Sequence, residues 1–318
     1  AGLAAAVYGA SESLRTLVVE SEALGGQAAT SSRIRNFLGF PSGVTGSELA
    51  LRAYEQAWVF GASFHFMRAV TGLRPGGDGG EGGAHVVTLA HGQAVRGRAV
   101  VLATGASYRR LGLPALEALV GAGVYYGAAV AEAPAMAGRD VFVAGGGNSA
   151  GQAAVHLARY AESVTILVRG AGLAQTMSQY LVTQIAAHPR ISVRTRVEVV
   201  GGSGPGHLAE LDLRDTTGEA TTESVAADAL FVLIGAEPRT GWLPGEIQRD
   251  GWGYVVTGAD LGTPQGWPLD RPPSPFETSV PGIYAVGDVR HRSQKRVASA
   301  VGEGSGVIAH VHDFLAPG

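Results

Sequence analysis

A glycine-rich turn lies near the middle of the chain, between the apolar run VFVA at 141–144 and a helical pattern that follows. Glycine at positions 145 and 147 and a small residue at position 150 give this turn the spacing G-x-G-x-x-A. Between a strand and a helix, that spacing lets backbone N–H groups approach a pyrophosphate at the helix N-terminus. The same spacing also suits an ordinary tight turn. We favour the first interpretation, and the predicted phosphate-binding residues are Gly145, Gly147, Asn148, Ser149 and Ala150.

The beginning of the chain repeats the pattern that follows the central turn. There, small and apolar residues recur at helical spacing, and SVTILV then predicts a buried strand that ends at Arg169. Residues 1–8 show the same helical spacing, and TLVV predicts a strand that ends at Glu20. With a one-residue adjustment the two segments superpose. We therefore expect the chain to begin inside a first βαβ unit, with Gly2 as its third glycine and without the preceding strand and first two glycines.

Glu20 and Arg169 occupy matching places, each at the end of the second strand of its unit. A carboxylate there can accept hydrogen bonds from ribose hydroxyls. A cation there suits a 2′-phosphate and favours NADPH over NADH. The alternative for Arg169 is an ordinary solvated arginine, which leaves NADH open.

A second pattern is also duplicated. Residues 85–106 and 208–236 each predict a β-ribbon followed by an apolar strand, and the strands run into Thr104-Gly105 and Ile234-Gly235. The glycine-rich stretches at 75–83 and 201–206 are predicted to be flexible turns.

After the second copy, GIYAVGDV at 282–289 predicts a buried strand that runs into Gly287-Asp288, and a helical pattern follows. The predicted fold is α/β, with two nested Rossmann-like, three-layer dinucleotide-binding domains. One domain would comprise residues 1–108 and 239–318, and the other, residues 109–238, would be inserted in it. The insertion explains why a phosphate-binding turn lies in the middle of the chain.

Composition bounds the function classes. The chain has 318 residues, 46% of them hydrophobic, and a formal net charge of −3, which argues against nucleic acid as the main partner. No apolar run approaches the roughly 20 residues of a membrane span, and no secretory leader pattern is present. We therefore expect a cytoplasmic protein without a membrane partner.

The chain contains no cysteine. Within it, disulfides, thiolate nucleophiles and cysteine-ligated metals are excluded. His156, His310 and His312 show no metal-ligand spacing, and no G-x-S-x-G nucleophile motif is present. The sequence therefore predicts neither a metal site nor a catalytic side chain.

Five motifs in order carry a resemblance to a known family. They are GGQ at 25–27, NFLGFP at 36–41, ATG at 103–105, GGGNSA at 145–150 and ETSVPGIYAVGDV at 277–289. Over almost its whole length the chain resembles the thioredoxin-reductase-like FAD/NAD(P)H oxidoreductases. The resemblance implies FAD in the discontinuous domain, NADPH in the inserted domain, and a homodimer.

The resemblance also implies further cofactor-binding residues. Asp288 would lie beside the ribityl and pyrophosphate part of FAD, and it can cap a helix at the same time. The segment RHRSQKR at 290–296 is basic, and its charge suits flavin contacts, docking of an acidic partner or an ordinary solvated loop. Together with Gly2, Glu20 and Arg169, the residues implied outside the central turn are Gly25, Gly26, Gln27, Asn36, Thr104, Gly105, Ile234, Gly235, Gly287, Asp288, Arg296, Val297 and Ala298.

This chain departs from the family at two places. Members that bind NADPH usually show His-Arg-Arg where it has Val168-Arg169-Gly170, which again leaves NADH open. Thioredoxin reductases also carry a C-x-x-C pair just before the central turn, and here Gly127 and Val130 stand in those places. A dithiol relay is therefore excluded, and we expect a hydride to pass from NADPH to FAD and electrons to leave directly to a small-molecule or redox-protein acceptor.

Two alternatives stay open from the sequence. One is a ferredoxin–NADP reductase-like enzyme, a group that lacks the dithiol and stacks a C-terminal aromatic residue on the flavin, for which Phe314 is the late candidate. The other is a non-catalytic flavin- or nucleotide-binding module of a larger protein. A chain without the first strand and two glycines is expected to bind FAD weakly.

Overall fold

The computed structural model describes residues 1–29, 31, 34, 36–76, 83–127, 132–218, 221–262, 264 and 266–316. The chain divides into two compact units. One comprises Ala1–Ser107 together with Glu237–Gly318, and the other comprises Tyr108–Ala236. The second unit is therefore inserted in the sequence of the first.

The first segment of the discontinuous unit forms helices, a parallel strand pair and an antiparallel ribbon. Strands β1 and β2 pair in parallel, and β3, β4 and β5 form the ribbon. The side-chain hydroxyl of Thr45 caps α3 by accepting a hydrogen bond from the backbone N–H of Glu48. In order, the elements are α1 (Gly2–Ser11), β1 (Leu17–Val19), α2 (Gly26–Ala29), α3 (Gly46–Val59), β2 (Ser63–His65), β3 (Val70–Arg74), β4 (His85–Leu89), β5 (Ala94–Gly97), β6 (Val100–Leu102) and β7 (Ala106–Tyr108).

The inserted unit is a sheet covered on both faces. Its parallel sheet has the order β11-β10-β9-β15-β8, and β12, β13 and β14 form a separate antiparallel sheet. Its elements are α4 (Pro114–Glu117), β8 (Val124–Tyr126), β9 (Asp140–Ala144), α5 (Asn148–Leu157), β10 (Ser163–Val168), α6 (Gln179–Ala186), β11 (Ile191–Thr195), β12 (Val197–Ser203), β13 (Glu210–Asp215), β14 (Thr222–Ala226) and β15 (Ala229–Val232).

Alternation along the buried strands produces the three layers of this unit. In β9, Val141 and Val143 pack with α5 and α6, whereas Phe142 and Ala144 pack with the antiparallel sheet and α4. Successive side chains of a strand point to opposite faces, so a fully apolar run such as VFVA buries both. The predicted strand SVTILV is confirmed as β10.

The chain then returns to the discontinuous unit through β16 (Ala236–Pro238), β17 (Ile283–Ala285) and α7 (Val297–Leu315). Strand β17 pairs in parallel with β6, and Val307 and Val311 of α7 pack with Ala5 of α1. The predicted strand within GIYAVGDV and the helix after it are confirmed. Along the described residues, no helix has both the length and the apolarity that a membrane span requires.

The prediction of a flexible turn at 201–206 was wrong for its first half. Gly201 and Gly202 lie within β12, and Gly202 pairs with Leu211 of β13. A Cβ on Gly202 would come within 2.7 Å of the carbonyl oxygen of Glu210, so glycine serves close strand packing here rather than a turn. In the other predicted turn, residues 77–82 lie outside the described part of the chain.

Candidate dinucleotide-binding sites

The central turn of the inserted unit requires glycine at its first position. Gly145 follows β9 with φ +143°, and its backbone N–H donates to the carbonyl of Leu167 at 3.0 Å. A Cβ on Gly145 would collide with the carbonyl oxygen of Leu233 and lie 3.2 Å from the methyl group of Ala150. The third position of the motif, Ala150, is fully buried. Both residues therefore let the turn pass close to the sheet.

The second glycine of the motif leaves open space. Gly147 is the N-cap residue of α5 with φ −92°, and the nearest atom to a Cβ there, the Thr176 carbonyl oxygen, would be 3.9 Å away. Within the described part of the chain, no side chain caps α5. The first N–H groups of a helix have no partner within the helix, so an uncapped N-terminus can receive an anion.

Side chains from the following loop hold the turn in place. The hydroxyl of Thr176 donates to the Gly146 carbonyl at 2.7 Å, and the amide oxygen of Asn148 accepts from the Ser178 backbone N–H at 2.7 Å. Asn148 thus fastens the loop in this structure, while Ser149 is exposed. These two hydrogen bonds hold the turn in place without a bound ligand.

The remaining predicted residues of this unit lie at the ends of neighbouring strands. Arg169 follows β10 directly and is exposed, and its carbonyl accepts a hydrogen bond from the hydroxyl of Thr216 at 3.1 Å. Ile234 and Gly235 follow β15, and Gly235, at φ +107°, accepts from the Arg109 backbone N–H at 3.0 Å. Strands β9, β10 and β15 are adjacent and parallel, so these residues share the edge that bears the central turn.

In the discontinuous unit, the GGQ segment at 25–27 is hydrogen-bonded to the first residue of β7. Gly25 and Gly26 have φ +87° and +52°, and a Cβ on Gly25 would lie 2.5 Å from that of Ala50. The side-chain amide of Gln27 donates to the Ala106 carbonyl. Glycine is thus required at position 25 both by the positive φ and by the close approach of Ala50.

The ATG segment is held by the chain as it returns from the inserted unit. The hydroxyl of Thr104 donates to the Arg239 carbonyl at 3.1 Å, and the Arg239 N–H donates to the Gly105 carbonyl at 3.1 Å. Gly105 has φ +68°, and no atom of the residues that the structure describes lies within 4 Å of a Cβ position, so it provides an open left-handed turn. The Arg239 guanidinium also donates to Ser107 at 2.9 Å and to Glu22 at 3.4 Å.

Three predicted residues lie on the first segment of this unit. Glu20 follows β1 and is half-buried, and its carboxylate accepts from the Glu22 backbone N–H at 2.9 Å. Gly2 begins α1, where a Cβ would lie 3.3 Å from that of Ala103. Asn36 is exposed. The structure therefore gives Glu20 a place beside a strand end, as the ribose hypothesis requires.

The Gly287-Asp288 turn is held by an acid that the sequence reading missed. Glu303 of α7 accepts from the Gly287 N–H at 2.6 Å, from the Arg290 guanidinium at 2.6 and 3.1 Å, and from the Ser293 hydroxyl at 3.0 Å. Burial opposes its ionisation, but these hydrogen bonds outweigh burial and lower the pKa of Glu303. A glutamate sixteen residues after a glycine carries no local signal, so only the packing of α7 reveals it.

Asp288 itself is half-buried and lies close to the one lysine of the chain. Burial raises the pKa of the Asp288 carboxyl, and the positive charge of Lys295 opposes that effect. The Lys295 ammonium donates to the Asp288 carbonyl at 2.7 Å and stands 4.4 Å from the centre of the Tyr254 ring. This arrangement fixes the basic segment beside Gly287-Asp288.

The N-terminus of α7 follows the same segment. Arg296 is its N-cap residue, no side chain caps the helix, and Arg296 and Ala298 are exposed while Val297 is half-buried. Among the described residues, no side chain accepts from the first N–H groups of this 19-residue helix. Phe314, at the other end of α7, packs against Gly282 and the core, so a flavin-stacking role receives no support.

The segment where thioredoxin reductases carry their cysteine pair follows β8. Gly127 has φ +72°, and a Cβ there would lie 2.7 Å from the Cε1 and Cε2 atoms of the Tyr108 ring. The preceding residue, Tyr126, donates to Glu117 at 2.5 Å and accepts from the Leu111 N–H at 3.2 Å. Burial and the Glu117 hydrogen bond raise the pKa of Tyr126 to about 12. Val130 lies outside the described residues.

The family model for pyridine nucleotide-disulphide oxidoreductases matches residues 1–304. The chain belongs to this family. It is 33% identical over 306 residues to the thioredoxin reductase of Treponema pallidum (strain Nichols), covering 96% of this chain and 91% of that protein. It is also 33% identical over 318 residues to the thioredoxin reductase of Streptomyces clavuligerus, covering 99% and 91%.

The crystal structure of thioredoxin reductase from Streptococcus pyogenes MGAS5005 superposes with a TM-score of 0.82 at 27% identity, covering 99% of this chain and 94% of that one. The resemblance read from the five motifs is thereby confirmed, as is the α/β fold with two Rossmann-like domains. The protein is an FAD-dependent oxidoreductase, and members of its family use FAD and NADPH.

The residues present suit these two cofactors. In the inserted unit, the open space at Gly147 and the start of α5 without a side-chain cap have the geometry that suits an anion. In the discontinuous unit, Gly105 forms an open left-handed turn, and α7 begins without a cap. Among the residues that the structure describes, no group of three or more histidine, aspartate or glutamate side chains is placed to hold a metal ion.

Proposed function

We propose that this protein takes electrons from NADPH on FAD and passes them directly to an acceptor, without a dithiol relay. The observation that carries the proposal is the absence of cysteine from the chain. The backbone at Gly127 supports it, because a left-handed glycine against the Tyr108 ring leaves no room for a side chain where the family carries its first cysteine.

Each of the two units would bind one of the two cofactors. The unit Tyr108–Ala236 would bind NADPH, with the N–H groups that follow Gly147 on the pyrophosphate and Arg169 on the adenosine ribose. The discontinuous unit would bind FAD, with Glu20 accepting from its ribose and Gly287-Asp288 and the N-terminus of α7 along its pyrophosphate and ribityl chain. The other predicted residues, including the GGQ and ATG segments, would shape these sites.

When bound, FAD supplies the redox chemistry, accepting a hydride from NADPH and giving up two electrons to the acceptor. The protein's own contribution is orientation and exclusion of competing reactions, since hydride transfer needs no side-chain acid or base. Glu303 would act as a positioning residue by holding Gly287 and Arg290. The acceptor would be a small molecule or a redox protein. We expect the protein to be cytoplasmic and to form a homodimer. Analytical ultracentrifugation would test the oligomeric state.

The deciding experiment is an anaerobic titration of FAD-loaded protein with NADPH and, separately, with NADH, following the flavin absorbance band. We expect NADPH to bleach the band and ferricyanide or a quinone to restore it. With dithionitrobenzoate as acceptor, we expect no thiolate release above that of free FAD. Bleaching without reoxidation by either direct acceptor, or rapid thiolate release, would contradict direct transfer. An FAD-loaded protein that NADPH does not bleach would instead be a binding module.

A further inference from the structure

Two arginines leave the same edge of the inserted unit's sheet on adjacent strands. Strands β10 and β11 are parallel neighbours, with Val168 paired to Thr195, and each strand is followed at once by an arginine, Arg169 and Arg196. Strand β9, on the other side of β10, ends in the Gly145 turn. Ligands of open parallel sheets bind outside the carboxyl ends of the strands, so all three strand ends face one ligand region.

Backbone hydrogen bonds fix the two arginines relative to each other. The Arg196 N–H donates to the Gly170 carbonyl at 2.9 Å. Thr216 then bridges both positions, since its hydroxyl donates to the Arg169 carbonyl at 3.1 Å and its N–H donates to the Arg196 carbonyl at 2.8 Å. The two positions therefore form one small platform rather than two independent loop ends.

Arg196 adopts a conformation that non-glycine residues usually avoid. Its φ is +57°, in the left-handed region where a Cβ is strained. The position lies between β11 and β12, where glycine would be the unstrained choice. Strain of this kind points to a function for the side chain that occupies the position.

Both guanidinium groups are available to a ligand. Arg169 and Arg196 are exposed, and neither forms an ion pair with any residue that the structure describes. The neighbouring arginines of the same sheets differ, because Arg194 pairs with Glu223 and Arg214 pairs with Glu198. Asp215 accepts hydrogen bonds from the hydroxyl and N–H of Thr217, which lower the pKa of its carboxyl, and the charge of Arg196 adds to this effect without forming an ion pair.

We propose that Arg196, together with Arg169, binds the 2′-phosphate of NADPH and sets the preference for NADPH over NADH. The inference rests on the proposed function of this unit as the NADPH-binding one. A phosphate dianion suits two guanidinium groups, because each donates charge-assisted hydrogen bonds from a planar fork. Arg196 would thereby supply the second cation that the segment Val168-Arg169-Gly170 lacks.

The test uses isothermal titration of the FAD-loaded protein with 2′,5′-ADP and with ADP, which differ in the 2′-phosphate. We expect the wild type to bind 2′,5′-ADP at least about tenfold more tightly than ADP, and Arg196→Gln to lose most of that preference without weakening ADP binding. Arg196→Gly should lose it as well, although glycine relieves the backbone strain and so keeps the fold. The matched control is Arg159→Gln, which also removes one exposed arginine charge from the inserted unit but lies beyond the C-terminal end of α5, away from the central turn. It should keep the preference.

Each outcome has a distinct meaning. If Arg196→Gln and Arg196→Gly keep the wild-type preference while Arg169→Gln loses it, the role of Arg196 is overturned and the proposed function stands. A wild type that binds ADP as tightly as 2′,5′-ADP also overturns the inference, although the unit still binds dinucleotides. If the wild type binds neither nucleotide, the proposed function of the unit fails, and the inference fails with it.

Discussion

The ring of Tyr108 lies where any side chain on Gly127 would have to go. A Cβ at position 127 would stand 2.7 Å from two ring carbons of Tyr108, and the backbone there is left-handed at φ +72°. This position is where the resemblance to thioredoxin reductases places the first redox cysteine. The local structure is thus organised around the absence of a side chain and is not merely a family site with one sulfur removed.

Replacing Gly127 with cysteine should therefore destabilise the protein instead of restoring a relay. Gly121 is the matched control, because it also has a positive φ, +85°, but no atom of the described residues lies within 4 Å of a Cβ there. We expect Gly121→Cys to cost about 1 kcal/mol from backbone strain and Gly127→Cys to cost about 1–3 kcal/mol more from overpacking. Urea unfolding under reducing conditions measures both. Equal costs would mean that the Tyr108 ring moves aside freely.

Replacing the second glycine of the central turn, Gly147, should weaken NADPH binding with little effect on stability. Among the described atoms, a methyl group at Gly147 meets only the Thr176 carbonyl oxygen, at 3.9 Å, and φ −92° suits alanine, so Gly147→Ala should change stability by no more than about 1 kcal/mol. The same methyl group would stand where the backbone must approach a pyrophosphate. We expect the dissociation constant for NADPH to rise about tenfold or more, measured by titration calorimetry.

The control for that prediction is Gly172→Ala in the same unit, at a position with open space and no positive φ. It should leave NADPH affinity unchanged. Unchanged affinity in Gly147→Ala as well would remove the pyrophosphate from this turn.

Local patterns revealed much of the fold and the central turn, because each depends on residues close together in sequence. Apolar alternation predicted β10, and the spacing of Gly145, Gly147 and Ala150 predicted the turn before α5. The role of Arg196 depends on the order of strands in the sheet, which no local pattern contains. Gly202 was misread because glycine marks both flexible turns and close strand contacts.

The acids that hold the discontinuous unit together were also beyond a local reading. Glu303 reaches back to Gly287 across sixteen residues of sequence, and Arg271 reaches Glu277. Ion pairs of this kind form only once helices and loops have packed, so composition and spacing do not identify them.

Glu303 should act on FAD binding through the turn that it holds. Glu303→Gln keeps one acceptor oxygen but loses the charge that pairs with Arg290 and places an amide donor near Gly287. We expect the dissociation constant for FAD to rise about tenfold, and stability to fall by about 1–3 kcal/mol. Fluorescence titration of the apoprotein with FAD, well below the unfolding midpoint, measures the first effect.

Glu12→Gln is the control for Glu303, because Glu12 also contacts α7, where its carboxylate lies 3.1 Å from the imidazole Nε2 of His312 and both side chains are partly exposed. It should change neither quantity appreciably. A Glu303→Gln protein that loses stability but binds FAD as tightly as the wild type would show that Glu303 supports the fold alone.

Glu277 should make stability depend on acid pH. It is completely buried and accepts hydrogen bonds from Arg271 at 2.6 and 3.1 Å, from the Ser274 N–H at 2.9 Å and from the Gly282 N–H at 3.0 Å. Burial opposes ionisation, but these donors outweigh it and hold the pKa of Glu277 below its ordinary value of 4.5. The stabilisation is therefore fully present above 4.5 and is lost as the pH falls through the lowered pKa.

Glu277→Gln should cost about 2 kcal/mol at neutral pH, because the glutamine amide would face donors on every side. The difference from the wild type should shrink as the pH falls below 4.5, because the Glu277 carboxyl of the unfolded chain takes up a proton before that of the folded protein does. Urea unfolding at a series of pH values measures this, with Glu246→Gln, at an exposed position of the same unit, as the control that should match the wild type throughout. If the difference in unfolding free energy between the wild type and Glu277→Gln stays constant into the acid range, the charge of Glu277 contributes nothing to stability.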